Sequence, residues 1–254
     1  MIGYGYLNNR IASVTVNGAT VLNQADYEPF GPVGEWYWGN STPQAPNKHT
    51  RYFDLDGRNT KIESIAGLDP TVLVYDAASR ITGLQTLAGG AVDTTRSNAY
   101  GYDNLDRLTT VTPGAGNSNP ARGYSYDGVG NRLTATVASS VTNYSYGATS
   151  HRLNSLSGAS SNTYTYDAAG NRATDNAATW TYGGNNLPTQ VVAGGNTTTF
   201  GINALGQRVK KATGANIVRF VYDEAGRLIG EYDNAGTRIT ETVWFNELPV
   251  AVMK

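Results

Sequence analysis

The stretch Tyr124-Ser-Tyr-Asp-Gly-Val-Gly-Asn-Arg-Leu-Thr134 returns as Tyr164-Thr-Tyr-Asp-Ala-Ala-Gly-Asn-Arg-Ala-Thr174 and, slightly shortened, as Phe220-Val-Tyr-Asp-Glu-Ala-Gly-Arg-Leu228. A phrase that recurs marks a structural module too small to bury its own apolar face, so the chain reads as an array. The clearest copies centre on Asp54, Asp76, Asp103, Asp127, Asp167, Asp223 and Asp233. Degenerate copies fall between them, in Tyr4-Gly-Tyr-Leu-Asn-Asn-Arg-Ile11, Tyr144-Ser-Tyr-Gly-Ala-Thr-Ser-His-Arg-Leu153, Trp180-Thr-Tyr-Gly183 and Phe200-Gly-Ile-Asn-Ala-Leu-Gly-Gln-Arg-Val209. We therefore expect residues 1–254 to form one continuous repeat array.

Each unit has a physical reading. Tyr-x-Tyr puts two rings on one face of a strand, because side chains alternate with period two and aromatics fit a pleated surface. The Asp after them accepts a backbone hydrogen bond two residues on, and the Gly supplies a positive φ, so the chain turns. After the Arg, alternation resumes, as in Leu108-Thr-Thr-Val111. Strand, turn and strand make a β-hairpin. The residues that define it are Tyr126, Asp127, Gly130 and Arg132 in one copy, Tyr166, Asp167, Gly170 and Arg172 in the next, and Tyr222, Asp223, Gly226 and Arg227 in a third.

The distance from Asp to Arg is four residues at Asp76–Arg80, Asp103–Arg107 and Asp223–Arg227, and five at Asp127–Arg132, Asp167–Arg172 and Asp233–Arg238. A one-residue slip within a strand would turn every later side chain to the wrong face. An apolar residue follows Arg in both classes, which places the extra residue in the loop as a bulge and makes the turn absorb the slip.

Composition narrows the function classes. The chain has 254 residues, 30 Gly, 17 Tyr against 5 Phe, no Cys, 15% charged residues and a formal net charge of −1. That balance gives no basic footprint for nucleic acid, and without Cys there is neither a disulfide framework nor a thiol nucleophile. The start, Met1-Ile-Gly-Tyr-Gly-Tyr-Leu-Asn-Asn-Arg10, lacks the basic-then-apolar pattern of a signal peptide, and no apolar run is long enough to span a membrane. Thr42–Lys48 and Pro113–Pro120 read as exposed loops between hairpins.

The Tyr-x-Tyr-Asp-x-x-Gly-Asn-Arg-Leu phrase resembles the YD repeat of the bacterial Rhs family, shared with the B and C components of insecticidal Tc toxins and with animal teneurins. Tyr27-Glu-Pro-Phe-Gly-Pro-Val-Gly-Glu-Trp-Tyr-Trp-Gly-Asn40 with Tyr52-Phe-Asp-Leu-Asp-Gly-Arg58, and Val243-Trp-Phe-Asn-Glu-Leu-Pro-Val-Ala-Val252, are similar to two further landmarks of that family. The resemblance implies an all-β fold, an array of antiparallel hairpins in a curved, spiralling open sheet that forms part of a hollow shell. It implies a non-catalytic role in enclosing a toxic C-terminal domain, with that domain and further repeats as partners and a secreted or cell-surface location. In the family the second landmark precedes a core segment with a self-cleavage site; this sequence stops at Lys254, so we expect a fragment that lacks core, cleavage site and toxin. Uncovered edge strands then favour association of the isolated chain.

Other chemistry finds little support in the residues. His49 in a loop and His151 in a degenerate turn do not make a paired site. Asp54-Leu-Asp-Gly57 has its Gly at the wrong place for a calcium loop. No metal, cofactor or catalytic residue is assigned. The repeated Asp and Arg read as turn former and cross-hairpin partner, and the tyrosines as packing between hairpins. A second reading is a carbohydrate- or protein-binding module in which Trp36 and Trp38 stack on sugar rings.

Overall fold

The structure, a computed structural model, describes all residues except 30, 41–46 and 66; Thr42–Pro46 of the first expected loop therefore lie outside the described residues. The described residues contain strands and turns and no helix. The fold is all-β, built of antiparallel hairpins in open sheets whose strand order is the sequence order.

The chain divides into two compact units, Met1–Val141 and Thr142–Lys254. In the first, β1 (Ile2–Leu7), β2 (Arg10–Val16), β3 (Ala19–Tyr27), β4 (Val33–Trp38), β5 (Lys48–Phe53), β6 (Asn59–Glu63), β7 (Thr71–Tyr75), β8 (Ile81–Ala88), β9 (Ala91–Tyr102), β10 (Leu108–Pro113), β11 (Arg122–Tyr126) and β12 (Arg132–Val137) follow one another across the sheet. The boundary falls inside β13 (Ser140–Tyr146). The second unit continues with β14 (Leu153–Gly158) and β15 (Asn162–Thr163). A separate sheet holds β16 (Thr165–Tyr166), β17 (Arg172–Thr174), β18 (Ala178–Tyr182), β19 (Pro188–Ala193), β20 (Asn196–Ile202), β21 (Arg208–Thr213), β22 (Asn216–Tyr222), β23 (Leu228–Tyr232), β24 (Arg238–Phe245) and β25 (Leu248–Met253).

Strands paired in sequence order return at alternate edges, and the two edges use different turns. One carries the Tyr-Asp turns except that at Asp233, which follows the Asp223 turn across β23 and so falls on the opposite edge. The other uses two-residue connections such as Asn17-Gly18, with φ of 50° and 81°, and Gly89-Gly90, with 58° and 86°. Two successive positive φ angles match the right-handed twist of the flanking strands, which is why Asn and Gly stand there.

Each unit has its own buried cluster. Val14, Leu22, Val33, Trp36 and Tyr37 are buried in the first, and Phe220, Val243 and Phe245 in the second. Most other strand residues are half-buried or exposed, as befits a hairpin array whose apolar contacts run from neighbour to neighbour.

One expectation needs correction here. His49 lies in strand β5, opposite Trp36, with the rings stacked at 4.0 Å. The segment after Pro113 is the largely exposed loop expected, and it is tied back to the previous hairpin: β9 loops out residues 94–97, Gly114 N–H donates to the Ser97 carbonyl at 2.9 Å, and the Thr94 hydroxyl donates to the Ala115 carbonyl at 2.9 Å.

Candidate functional site

The Tyr-Asp turns share one backbone construction, and all but the Asp233 turn add a side-chain clamp. At Asp76 the backbone N–H donates to the Arg80 carbonyl at 3.0 Å, and Ser79 N–H donates to the Asp76 carbonyl at 3.0 Å. The carboxylate then clamps the loop from within, Oδ1 accepting the N–H of Ala78 at 2.9 Å and of Arg80 at 3.0 Å, and Oδ2 accepting Arg80 Nε at 2.7 Å. Asp54, Asp103 and Asp223 clamp Arg58, Arg107 and Arg227 in the same way.

The third residue after Asp always carries positive φ in these turns: Gly57 75°, Ser79 64°, Asp106 61°, Gly130 94°, Gly170 91°, Gly226 82°. A Cβ is strained in that region, and Gly relieves the strain.

The copies with a spacing of five from Asp to Arg overturn the idea that the loop takes up an extra residue. Asp127 N–H donates to the Asn131 carbonyl at 2.9 Å, spanning the same four residues as Asp76 to Arg80. Tyr126 pairs with Arg132 just as Tyr75 pairs with Ile81, and a register shift precedes the tyrosine in both. The turn has constant length. Asn131 takes the clamp position, its amide donating to Asp127 Oδ2 at 2.8 Å, and Asn171 does so at Asp167 at 3.0 Å. Arg132 and Arg172 stand one place along the strand, where they lie over Tyr124 at 5.9 Å and Trp180 at 4.9 Å. Arg172 also pairs with Asp175 at 3.3 Å. The true insertion is in the degenerate copy holding His151, where Gly147 N–H reaches the Arg152 carbonyl at 3.4 Å.

Successive turns are coupled. Arg58 lies over Tyr75 at 4.9 Å, Arg80 over Tyr102 at 5.1 Å, Arg107 over Tyr126 at 4.8 Å, and Arg152 over Tyr166 at 5.6 Å. Each of those tyrosines donates its hydroxyl back to the carbonyl just after the arginine: Tyr75 to Asn59 at 2.8 Å, Tyr102 to Ile81 at 2.6 Å, Tyr126 to Leu108 at 2.8 Å, Tyr166 to Leu153 at 2.8 Å. Trp244 substitutes its ring N–H, donating to Leu228 at 3.0 Å beneath Arg227. The guanidinium also reaches the next turn: Arg58 donates to Ser79 Oγ at 2.9 Å, Arg80 to Asp106 Oδ1 at 2.7 Å, and Arg107 to the Asp127 carbonyl at 2.8 Å. The sequence hid this ladder because its members lie about twenty residues apart; aligning copies on Asp rather than Arg would have exposed the clamp position.

The electrostatics follow. The Arg80 backbone N–H, with its guanidinium, holds the Asp76 carboxyl below the usual carboxylate range, and the Asn171 amide does the same to Asp167. At Asp103 and Asp223 desolvation pushes upward, and the hydrogen bonds from Arg107 and Arg227 outweigh it. Desolvation, with Arg51 nearby, lowers the His49 pKa to about 4, so His49 is a neutral packing residue at pH 7. No group of three or more His, Cys, Asp or Glu that could hold a metal is present among the described residues.

Trp36 is only 3% exposed, with one ring face against His49 and Trp38 edge-on at 5.6 Å. It presents no face on which a sugar could stack, and that part of the carbohydrate reading is withdrawn.

This is an array of antiparallel hairpins joined by clamped Tyr-Asp turns, in which what is repeated is structural. The family model described as Teneurin YD-shell matches residues 55–240. The chain belongs to this YD-shell family, of the Rhs type. Two solved structures share its fold. One is a Tc holotoxin pore from Photorhabdus luminescens, at 13% identity and TM-score 0.52 over 96% of this chain and 16% of that one. The other is TcdB2-TccC3 without its hypervariable C-terminal region, at 11% identity and TM-score 0.58 over 96% of this chain and 15% of that one. The chain thus spans about one-sixth of the length of these structures. No curated protein sequence matches it.

Proposed function

We propose that this chain is a non-catalytic wall segment of an Rhs-type shell that encloses a toxic polypeptide, joined to further repeats of the same kind and working outside the cell that makes it. The observation that carries the reading is the turn ladder. It commits the conspicuous residues of each repeat, Tyr, Asp, positive-φ Gly and Arg, to holding one hairpin on the next, and a wall needs that coupling. The family's shell character supports the same role.

The test uses the complete natural gene product that contains this segment, purified and exposed to a broad-specificity protease under native conditions and in urea. The reading expects a C-terminal polypeptide that resists cleavage until the hairpin array unfolds. Cleavage of that polypeptide at the same rate in both conditions, or a product with no polypeptide beyond the array, defeats it. Trp36, buried against His49, offers no stacking face to support a carbohydrate-binding reading.

A further inference from the structure

The register of β20 to β24 sets five residues in one row across the sheet: Gly201 opposite Lys210, Lys210 opposite Arg219, Arg219 opposite Tyr232, and Tyr232 opposite Arg238. Directly opposed residues share a face. Lys210 and Arg219 are therefore two cations on adjacent strands, roughly 4.8 Å apart at the backbone. Like charges placed so destabilise a sheet.

Nothing in the row relieves them. Among the described residues neither forms an ion pair; Arg219 donates only to the Asn234 side-chain oxygen, at 3.1 Å. The acid on the same side, Glu241, is engaged by the Tyr232 hydroxyl and by Arg238 at 3.5 Å. Several other cations do have an acid beside them: Arg58, Arg80, Arg107 and Arg227 hold turn aspartates, Lys48 holds Glu35, and Lys61 holds Glu63. The flank of Lys210 is also kept bare, since a Cβ at Gly201 would stand 3.1 Å from the Lys210 Cβ.

We propose that this row is a docking strip for an acidic polypeptide segment, whose Asp and Glu carboxylates are bound by Lys210 and Arg219. An extended chain presents alternate side chains on one face every ~6.8 Å, a spacing that flexible Lys and Arg arms on neighbouring strands can meet. Arg219 adds two-pronged recognition of a carboxylate. Gly201 and the Tyr232 ring give neutral ground for the backbone of the bound segment. A nucleic acid fits less well, because a chain of net charge −1 lacks the long-range field that gathers phosphates. The strip concerns the chemistry of one face and does not depend on enclosure.

The experiment measures fluorescence anisotropy of a labelled oligoglutamate peptide titrated with the full chain at low and physiological salt, beside labelled oligothymidylate and phosphatidylserine vesicles. We expect saturable, salt-sensitive binding of the peptide that weakens about tenfold or more in the Lys210→Gln/Arg219→Gln double variant. Lys211→Gln should leave it unchanged, because Lys211 faces the other way, opposite Phe200 and Val218. Lys210→Glu, which converts the repelling pair to an attracting one, should lose binding while its Tm rises. Absence of peptide binding, unchanged affinity in the double variant or in Lys210→Glu, or equal binding to oligothymidylate or vesicles would each overturn the proposal.

Discussion

The guanidinium of Arg107 lies 4.8 Å above the ring centroid of Tyr126, and the Tyr126 hydroxyl donates at 2.8 Å to the carbonyl of Leu108, the residue after that arginine. One arginine thus closes its own turn through Asp103 and caps the second ring of the next hairpin's Tyr-x-Tyr pair. Because stability in a repeat array is a sum of unit and neighbour terms, this junction is where the neighbour term is concentrated.

Replacing Tyr126 by Phe should cost about 1 kcal/mol, the net worth of a neutral hydrogen bond whose acceptor is left half-buried. Arg107→Met should destabilise further. A double-mutant cycle of Arg107→Met with Tyr126→Leu, which removes the ring itself, should show a coupling of about 0.5 kcal/mol or more by urea titration. Strict additivity would mean that the ring and the guanidinium touch without holding each other.

The positive-φ position of the turn should discriminate among side chains. Gly130→Val and Gly226→Val should destabilise by about 1–2 kcal/mol, because a β-branched residue is strained there. Gly130→Asn should be nearly neutral, since Asn186 already adopts φ 58° at the equivalent place. Gly170→Val should add a steric effect, as a Cβ there would come within 2.6 Å of the Arg152 guanidinium and displace it. Thermal melts of the three valine variants against the Asn variant decide the matter; equal midpoints would contradict it.

Two glycines outside that position should behave in opposite ways. At Gly114 a Cβ would meet the Thr94 carbonyl oxygen at 2.2 Å, and backbone cannot step aside as a flexible side chain can. At Gly128 it would meet nothing within 4 Å. Gly114→Ala should cost about 1–3 kcal/mol and Gly128→Ala close to none. The urea midpoints of the two variants test the contact between the loop after β10 and the looped-out part of β9.

Stability should fall with acid in two windows. His49 takes up a proton at pH 6.5 when unfolded and only near pH 4 when folded, so its contribution is complete above pH 6.5 and declines as pH drops from 6.5 to about 4. The turn aspartates are depressed in the folded state, so their contribution is present above the unfolded carboxylate pKa of about 4 and disappears as pH falls below it. His49→Phe, which keeps a ring against Trp36, should abolish the upper window and leave the lower. Melting temperatures across that pH range, identical in wild type and variant, would show that His49 does not carry the upper one.

Much of the architecture is legible in the residues. Tyr-x-Tyr followed by Asp and Gly is local information, since alternation, the Asp side chain's hold on nearby N–H groups and the freedom of Gly all act within a few residues. The arginine defeated this local reading. Measured from Asp it shifts by one residue between copies, a pattern that in sequence is indistinguishable from a loop insertion. The constant pairing of Tyr126 with Arg132 and of Tyr75 with Ile81 shows that the turn has the same length in both spacing classes and that Asn131 occupies the clamp. The burial of Trp36 was equally hidden, because exposure of an aromatic depends on what lies against it, and its neighbour His49 is thirteen residues away.

By itself the sequence determined that this protein is a repeating set of hairpins, where each turns, and to which family it belongs, because those properties are written in contacts between residues close in the chain. Tertiary structure decided what joins the hairpins: which carbonyl each tyrosine hydroxyl finds, which ring each guanidinium covers, and which two cations, Lys210 and Arg219, are set face to face. Those contacts span neighbouring strands, and strand register, which no single repeat specifies, brings them together.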